Sequence, residues 1–274
     1  RVSEEVQVTN ANPGYIELKL EQQEQTLEEV EVKASPFRRS DESPVSLKSI
    51  GISEIEKAPG ANRDISLVIQ SYAGVSSSAN FRNDIIVRGG GPAESTFYLD
   101  GVEIPNINHF ATQGSSGGPV GILNANFIRE VNFYSGAFPA NRGGALSAVF
   151  DFRQVDGSDE KVNFSGAVGA SEVALTLDGP IGEKTTFIAS ARRSYLQFLF
   201  DLIGLPFLPT FNDFQFKTRT RINEKNEIIL LGVGAIDQFA LNTGIENPDD
   251  QQAYILNTIP VNEQWSYTTG AVYK

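Results

Sequence analysis

The side chains that could do chemistry are few in this chain, and they exclude most enzymatic sites. The 274 residues contain no cysteine and one histidine, His109, so a thiolate nucleophile, a disulfide framework and a multi-histidine metal site are excluded. His109 stands among Asn106, Asn108 and Phe110 with no nucleophile paired to it. We therefore expect a polar loop residue that touches a ligand, and we predict neither enzymatic activity nor a cofactor nor a metal.

Two further motifs are weak as ligand sites. Arg88-Gly89-Gly90-Gly91 follows a short apolar run, as a phosphate-binding loop would, but the residues after it have the pattern of strands. A dinucleotide fingerprint needs a helix at that point, so we expect these glycines to allow a tight backbone crossing instead. The acidic stretches at 156–160 and 249–250 lack the spacing of an EF-hand, and we interpret them as turn tips.

The charge balance limits the class of partner. The chain has 22 Lys and Arg against 34 Asp and Glu, a formal net charge of −12. Nucleic-acid binding needs a clustered positive field, so we predict no nucleic-acid partner. Lys217, Arg219 and Arg221 are spaced two apart and would share one face of a strand. In a barrel that face would meet the water-filled lumen or a domain inside it.

Residues 45–155 have the pattern of a mixed α/β unit. A capping box that begins at Ser53 predicts a short helix, and Asn62 can cap a second helix whose apolar residues follow at helical spacing. Asp100 and Gly101 lie between two β-prone runs. They predict a two-residue hairpin, because both central positions of such a turn need positive φ.

Beyond about residue 160, apolar and polar residues alternate in runs of roughly ten residues. In one such run Phe214 and Phe216 occupy one face, while Gln215 and Lys217 occupy the other. This alternation is typical of transmembrane barrel strands, and it is equally typical of a soluble β-sandwich. The pattern alone leaves both structures open.

The order of three motifs resembles the plug domain of TonB-dependent outer-membrane receptors. Those plugs carry an Ile-Arg-Gly run, a Leu-Asp-Gly-Val hairpin and a late Arg-Gly segment. The matching residues are Arg88, Gly89, Gly90, Gly91, Leu99, Asp100, Gly101, Arg142 and Gly143. The resemblance implies structural or gating roles for them. It also implies an α+β plug domain, a small mixed sheet with short helices, followed by antiparallel β strands of an incomplete transmembrane β-barrel.

A short alternating stretch near the start resembles the box that TonB grips in this family. Its residues are Leu27, Glu28, Glu29, Val30, Glu31 and Val32. Such a box is recognised by β-augmentation, in which an extended segment adds a strand to its partner. Residues 1–26 resemble the end of a carboxypeptidase-regulatory-like β domain of Bacteroidetes-type receptors. We therefore expect that domain end at 1–26, box and linker at 27–44, plug at 45–155 and barrel strands at 156–274.

The resemblance implies proton-motive-force-coupled uptake of a nutrient ligand through the outer membrane of a Gram-negative cell. The implied partners are TonB with its ExbB/ExbD energising complex, a surface lipoprotein, and a siderophore, cobalamin, glycan or peptide as ligand. The plug and the N-terminal tail would face the periplasm. Outward plug loops would carry the ligand contacts, and our choice for these is Asn106, Asn108, His109 and Phe110.

The number of strands is smaller than a closed barrel requires. A membrane strand takes about 9–11 residues, so residues 160–274 provide roughly half a dozen, below the minimum of about eight in bacterial barrels. We therefore expect a truncated receptor that is compact at 45–155, with residues 160–274 packed irregularly or against a neighbour. The alternative function is that of a soluble periplasmic or surface β-rich protein that binds glycan or peptide.

Overall fold

The computed structural model describes residues 46–57, 64–77, 82–112, 114–169, 171–258 and 261–274. The expected box at 27–32, the linker after it and the expected domain end at 1–26 lie outside the described residues, as does the helix cap expected at Asn62.

The first part of the described chain alternates short strands with two short helices. The strands are β1 (Leu47–Gly51), β2 (Val75–Ser76), β3 (Ile86–Val87), β4 (Thr96–Leu99), β5 (Val102–Ile104), β6 (Ile128–Tyr134) and β7 (Val149–Gln154), and the helices are α1 (Ile52–Lys57) and α2 (Ile65–Gln70). One sheet has the order β1-β6-β7-β4-β5, with β4 and β7 parallel and its other neighbours antiparallel. The predicted small mixed sheet with short helices is thereby confirmed.

Aromatic side chains on the central strands form the core of this first part. Phe133 and Phe150 stack with ring centroids 4.7 Å apart, and Phe97 lies 5.5 Å from Phe150. Helix α2 adds Val68 and Ile69 to the same buried cluster. Each such side chain contributes about 1.5–3 kcal/mol when it is fully buried, so this part has an apolar core of its own.

The hairpin between β4 and β5 turns at the two residues that the sequence indicates. Asp100 has φ 48° and Gly101 has φ 96°, and Leu99 pairs with Val102. Two consecutive positive φ angles are the signature of the two-residue hairpin turn. The Asp100 carboxylate also accepts a hydrogen bond of 3.1 Å from the backbone N–H of Gln154, which ties the turn to the end of β7.

The second part is an antiparallel sheet in which each strand pairs with the next along the chain. Its strands are β8 (Asn163–Val168), β9 (Glu172–Ile181), β10 (Thr185–Ser194), β11 (Phe207–Asn223), β12 (Asn226–Leu241) and β13 (Asn262–Tyr273). Helix α3 (Leu196–Leu202) connects β10 to β11, and α4 (Asp250–Thr258) connects β12 to β13. The expectation of irregular packing over 160–274 is wrong, because sequential hairpins satisfy the backbone hydrogen bonds of neighbouring strands.

The two faces of this second sheet differ as the alternation predicts. On β11, Gln215 and Lys217 are buried, whereas Phe214 and Phe216 are exposed on the other face. On β12, Leu231 and Val233 join the apolar core of the first part. The inner face of the second sheet therefore packs against the mixed sheet and its loops, and the outer face presents aromatic and aliphatic side chains. Within the described residues, no helix is both long and apolar enough to cross a membrane.

The glycine-rich loop after β3 offers a matched pair of substitutions. A Cβ on Gly90 would lie 2.6 Å from Ser147 Cβ and 2.9 Å from Glu94 Oε2, whereas on Gly91 its nearest contact would be Glu94 at 3.5 Å. We expect Gly90→Ala to lower the free energy of unfolding by about 1–3 kcal/mol through overpacking. Gly91→Ala should change it by less than about 0.5 kcal/mol. Urea unfolding measures both, and equal effects would contradict the close crossing at Gly90.

Candidate functional site

His109 lies in the interface between the loop that follows β5 and the inner face of the second sheet. Its side chain is fully buried. Nδ1 lies 2.6 Å from Asp237 Oδ1, and Nε2 lies 3.0 Å from Asp213 Oδ2. The ring stacks on Phe211 with centroids 4.3 Å apart. One imidazole thus joins the loop to neighbouring strands β11 and β12.

Two further side chains of the second sheet complete this arrangement. Arg192 on β10 contacts Asp213, with Nη2 2.9 Å from Oδ2 and Nε 3.0 Å from both carboxylate oxygens. The same guanidinium donates to the backbone carbonyl of Gly121, at 2.6 Å. Gln264 on β13 donates to Asp237 Oδ2 at 2.8 Å. We call His109, Arg192, Asp213, Asp237 and Gln264 the histidine clamp.

The electrostatics of the clamp favour a charged histidine. Burial alone would lower the pKa of His109, because it penalises the imidazolium. The hydrogen bonds to Asp213 and Asp237 and the charges of these carboxylates outweigh burial, so the pKa of His109 is raised above its ordinary 6.5. A protonated His109 with Arg192 balances the two aspartates, and buried carboxylates without such partners would be strongly destabilising.

The loop that carries His109 has a fixed backbone shape. His109 donates its backbone N–H to Val120 at 2.8 Å, and its carbonyl accepts from Gly118 at 2.6 Å. A Cβ on Gly118 would lie 2.9 Å from that carbonyl, so the close approach requires glycine. The buried Asn108 accepts from the Ser66 hydroxyl at 2.8 Å. It also donates to the carbonyl of Ser116 at 2.9 Å.

Of the residues expected to contact ligand, Asn108 and His109 are fully buried, while Asn106 and Phe110 keep some exposure. The structure gives Asn108 and His109 hydrogen bonds that hold the loop and the interface together. Phe110 has φ 54°, a conformation rare for a bulky side chain. Its backbone N–H donates to Asp237 Oδ2 at 2.7 Å, so it is bound directly to the clamp. Ligand contact by these four residues stays a prediction.

Strand β11 also contacts the first part at the residues that follow Asp213. Gln215 accepts a hydrogen bond of 3.0 Å from the backbone N–H of Asn124. Lys217 forms ion pairs with Asp100, at 3.1 Å, and with Asp156, at 2.8 Å. Asp213, Gln215 and Lys217 are two residues apart, and each contacts the first part. The inward face of β11 is therefore a ladder of polar contacts.

The basic residues predicted to share one face of a strand, Lys217, Arg219 and Arg221, differ in burial: the first two form ion pairs and the third is exposed. Arg219 forms ion pairs with Asp156 at 2.7 Å and with Glu227 at 2.6 Å, next to Lys217. Lys217 thus contacts the first part of the chain, which packs against the inner face of the sheet. This is one of the two environments that the sequence analysis gave for this face. Arg221 is exposed at the strand's end.

The other motif residues contact partners within the first part. Arg142 Nη2 lies 3.1 Å from Asp151 Oδ2, and its guanidinium lies 4.6 Å from the ring centroid of Tyr98. Arg88 donates to the Ser135 hydroxyl at 3.1 Å and has φ 50°. Gly143 is exposed. Leu99 is buried in the core. These contacts support structural roles, and a role in gating stays a prediction.

Sequence reasoning missed the partners of His109. Arg192, Asp213, Asp237 and Gln264 are spread over four strands, and no local motif joins them to the loop. One signal was available: Asp213 and Lys217 share the polar face of an alternating strand, where a charge requires either water or a partner.

Comparison with known proteins identifies the first part. Residues 39–149 match the family model described as TonB-dependent Receptor Plug Domain. The resemblance drawn from the three motifs is thereby confirmed for this part of the chain, which matches a TonB-dependent receptor plug domain. This family is one of receptors rather than enzymes, in agreement with the sequence prediction. No curated protein sequence is similar enough to count as a relative.

Solved structures extend the similarity to the second sheet. The ferric enterobactin receptor PfeA from Pseudomonas aeruginosa has a TM-score of 0.56 at 15% identity, over 85% of this chain and 39% of PfeA. The siderophore receptor PirA from Acinetobacter baumannii has a TM-score of 0.56 at 17% identity, over 84% of this chain and 37% of PirA. The outer membrane transporter YddB from Escherichia coli has a TM-score of 0.50 at 12% identity, over 71% of this chain and 33% of YddB.

These identities are low, so the likeness is one of fold. Because 85% of the chain is covered, the likeness reaches beyond residues 39–149 into the strands. The fold class is therefore the predicted one, a plug followed by antiparallel strands of a barrel that is incomplete in this chain. The chain spans 39% of the length of PfeA.

The charged clamp predicts a pH dependence of stability. The pKa of His109 is raised in the fold above 6.5. Its contribution to the free energy of unfolding is therefore complete below the pKa of the unfolded state and is lost as pH rises through the pKa of the folded state. We expect urea unfolding to show this loss, and His109→Gln to lack it. His109 is the single histidine, so one imidazole NMR signal reports its titration. A midpoint at or below 6.5 would contradict the charged clamp.

The ion pairs of Lys217 with Asp100 and Asp156 predict that Lys217→Met lowers the stability strongly. This change leaves Asp100 without its buried cation, and we expect the free energy of unfolding to fall by about 3–5 kcal/mol. Lys184→Met is the control, because Lys184 is exposed and its loss should change stability by less than about 0.5 kcal/mol. Chemical unfolding measures both variants. A similar small effect for both would show that the Lys217 contacts carry little energy.

Proposed function

We propose that this chain, whose residues 39–149 match the TonB-dependent receptor plug, is part of an outer-membrane receptor for active uptake of a nutrient ligand. The observation that carries the proposal is the buried polar interface between the plug and the inner face of the strand sheet. The receptor similarity supports the class of protein, and the interface supports a mechanism in which the plug closes a passage and is later released.

The two faces of the strand sheet suit a barrel wall. A wide barrel has a water-filled lumen, and such a lumen needs an obstruction to prevent leakage. The inner face carries the clamp and the polar side chains of β11 beside the apolar Leu231 and Val233 of β12, as expected for a wall that meets water and a folded plug. The outer face carries exposed aromatic side chains such as Phe164, Trp265 and Tyr267, as expected for contact with lipid.

The chemistry of the interface suits a plug that must move. Hydrogen bonds and ion pairs can be exchanged for bonds to water, so a polar interface opens with a smaller net free-energy change than an apolar one of equal area. The clamp and the Lys217 ion pairs lie four residues apart along β11, at Asp213 and Lys217, and opening must break both. Binding energy at the outer end and force from the periplasmic side would together supply that work.

We also propose that the energy for uptake comes from the proton-motive force, through TonB. Leu27 to Val32 would be gripped by TonB through β-augmentation, and the ExbB/ExbD complex would couple that grip to the proton-motive force. The N-terminal tail and the plug would then face the periplasm, with the loops that hold α3 and α4 on the outside. Asn106 and Phe110, in the loop after β5 that carries His109, would lie at this outer end and contact the ligand. A surface lipoprotein would deliver the ligand.

The box predicts a specific loss of TonB binding. Proline removes a backbone N–H and cannot donate in a β ladder, so Leu27→Pro and Val30→Pro should each weaken binding of the periplasmic domain of TonB by about tenfold or more. Gln22→Pro is the control, because it lies before the box. Calorimetry on the chain and uptake by cells with the complete receptor give the two readouts. Unchanged binding and uptake in both box variants would overturn the assignment.

A further inference from the structure

A cavity of about 460 Å³ lies beside the histidine clamp, at the α3 and α4 end of the strand sheet. It is a cleft bounded by plug residues on one side and by the sheet and residues of both helices on the other. Its apolar walls include Phe110, Val120, Phe200, Phe207, Phe239 and Ile255. A volume of this size suits a small molecule or one group of a larger ligand.

The walls of the cavity are aromatic. Phe200 meets Phe207 edge-on with centroids 5.5 Å apart, and Phe207 stacks on Phe239 at 5.6 Å. Aromatic rings that are only partly buried have further faces and edges to offer to an incoming apolar group. The rings provide an apolar surface for such a group.

The cavity offers little to a charged ligand. Among the described residues that line it, Arg82 is the charged one. Its Nε lies 2.7 Å from Asp84 Oδ2, so its charge is already paired inside the plug. An ionic group that entered would lose its hydration and would meet an ion pair that carries no net charge, and the lost hydration is unfavourable by several kcal/mol in an apolar site.

Phe110 links the cavity to the clamp. Its side chain lines the cavity, while its backbone N–H is bound by Asp237 at 2.7 Å. Its φ of 54° is a strained conformation that the surrounding contacts must hold in place. A group that presses on the Phe110 ring therefore acts on the residue next to His109 in the chain, and His109 joins the plug loop to β11 and β12.

We propose that this cavity binds an uncharged aromatic or aliphatic group of the imported ligand, and that Phe110 transmits its occupancy to the histidine clamp. The proposal rests on the proposed uptake function and names the chemical class of ligand for it. Recognition is by apolar burial, so a neutral group is selected over an anionic or cationic group of the same shape. Occupancy alters the contact of Phe110 with Asp237 and so weakens the hold on the plug.

The test uses three probes that share one ring and differ in charge: benzyl alcohol, benzoate and benzylammonium. Saturation-transfer NMR on the chain in detergent measures binding of each. We expect saturable binding of benzyl alcohol and binding of the two ions that is weaker by about tenfold or more. Equal binding of all three probes, or no saturable binding of benzyl alcohol, would overturn the proposal. This series needs no variant.

A matched pair on helix α3 locates the binding. Phe200 lines the cavity, whereas Phe198 on the same helix is exposed. We expect Phe200→Asp to weaken benzyl alcohol binding by about tenfold or more and Phe198→Asp to leave it unchanged. Because detergent is present in both samples, a difference between them cannot arise from partitioning into micelles. Equal binding in the two variants would place the probe elsewhere.

The link to the clamp has its own readout. His109 is the single histidine, so its imidazole signal reports the clamp directly. Benzyl alcohol should shift that signal in the parent and in Phe198→Asp but not in Phe200→Asp; an unchanged signal in the parent would overturn the role of Phe110. Probe binding requires neither TonB nor transport, so it is independent of the box test. If the box variants still bind TonB and support uptake while the probe binds as expected, the proposed uptake function is overturned and the proposal of an apolar binding cavity still stands.

Discussion

The buried pair of carboxylates on β11 and β12 is the constraint on which the plug–sheet interface depends. Asp213 and Asp237 lie on the inner face of the sheet, where burial makes an unpaired negative charge highly unfavourable. His109 and Arg192 neutralise them, and both also bond the plug: His109 through its own loop, and Arg192 through the carbonyl of Gly121. The plug is therefore required for the sheet to hold these charges inside, and the sheet is required for the plug loop to bury a charged ring.

The interface combines this polar clamp with apolar contacts. Leu231 and Val233 of β12 join the core of the plug, and Lys217, which is opposite Leu231 in the strand register, forms ion pairs with Asp100 and Asp156. The apolar contacts bury surface without fixing direction, whereas the polar contacts determine the position, because hydrogen bonds are directional. Such a division suits the proposed function, in which the plug is held in one place and later released.

Local patterns predicted the local structure, and they failed where structure depends on distant parts of the chain. The turn at Asp100-Gly101 follows from two residues that tolerate positive φ, and the faces of β11 follow from strict alternation. His109 was recognised as unusual, but its partners Asp213 and Asp237 lie 104 and 128 residues away. Finding them requires the strand register and the docking of the plug, and neither is encoded locally. The irregular packing expected for the later strands was wrong for a related reason: sequential hairpins need no closed barrel to pair with one another.

A double-mutant cycle between His109 and Asp213 tests the central claim most directly. The free energy of unfolding is measured for the parent, His109→Gln, Asp213→Asn and the double variant, at a pH below the ordinary pKa of histidine. If the clamp joins plug and sheet, the double variant will lose less stability than the two single losses combined, with a coupling free energy of about 1–3 kcal/mol. Additivity within about 0.5 kcal/mol would contradict the account.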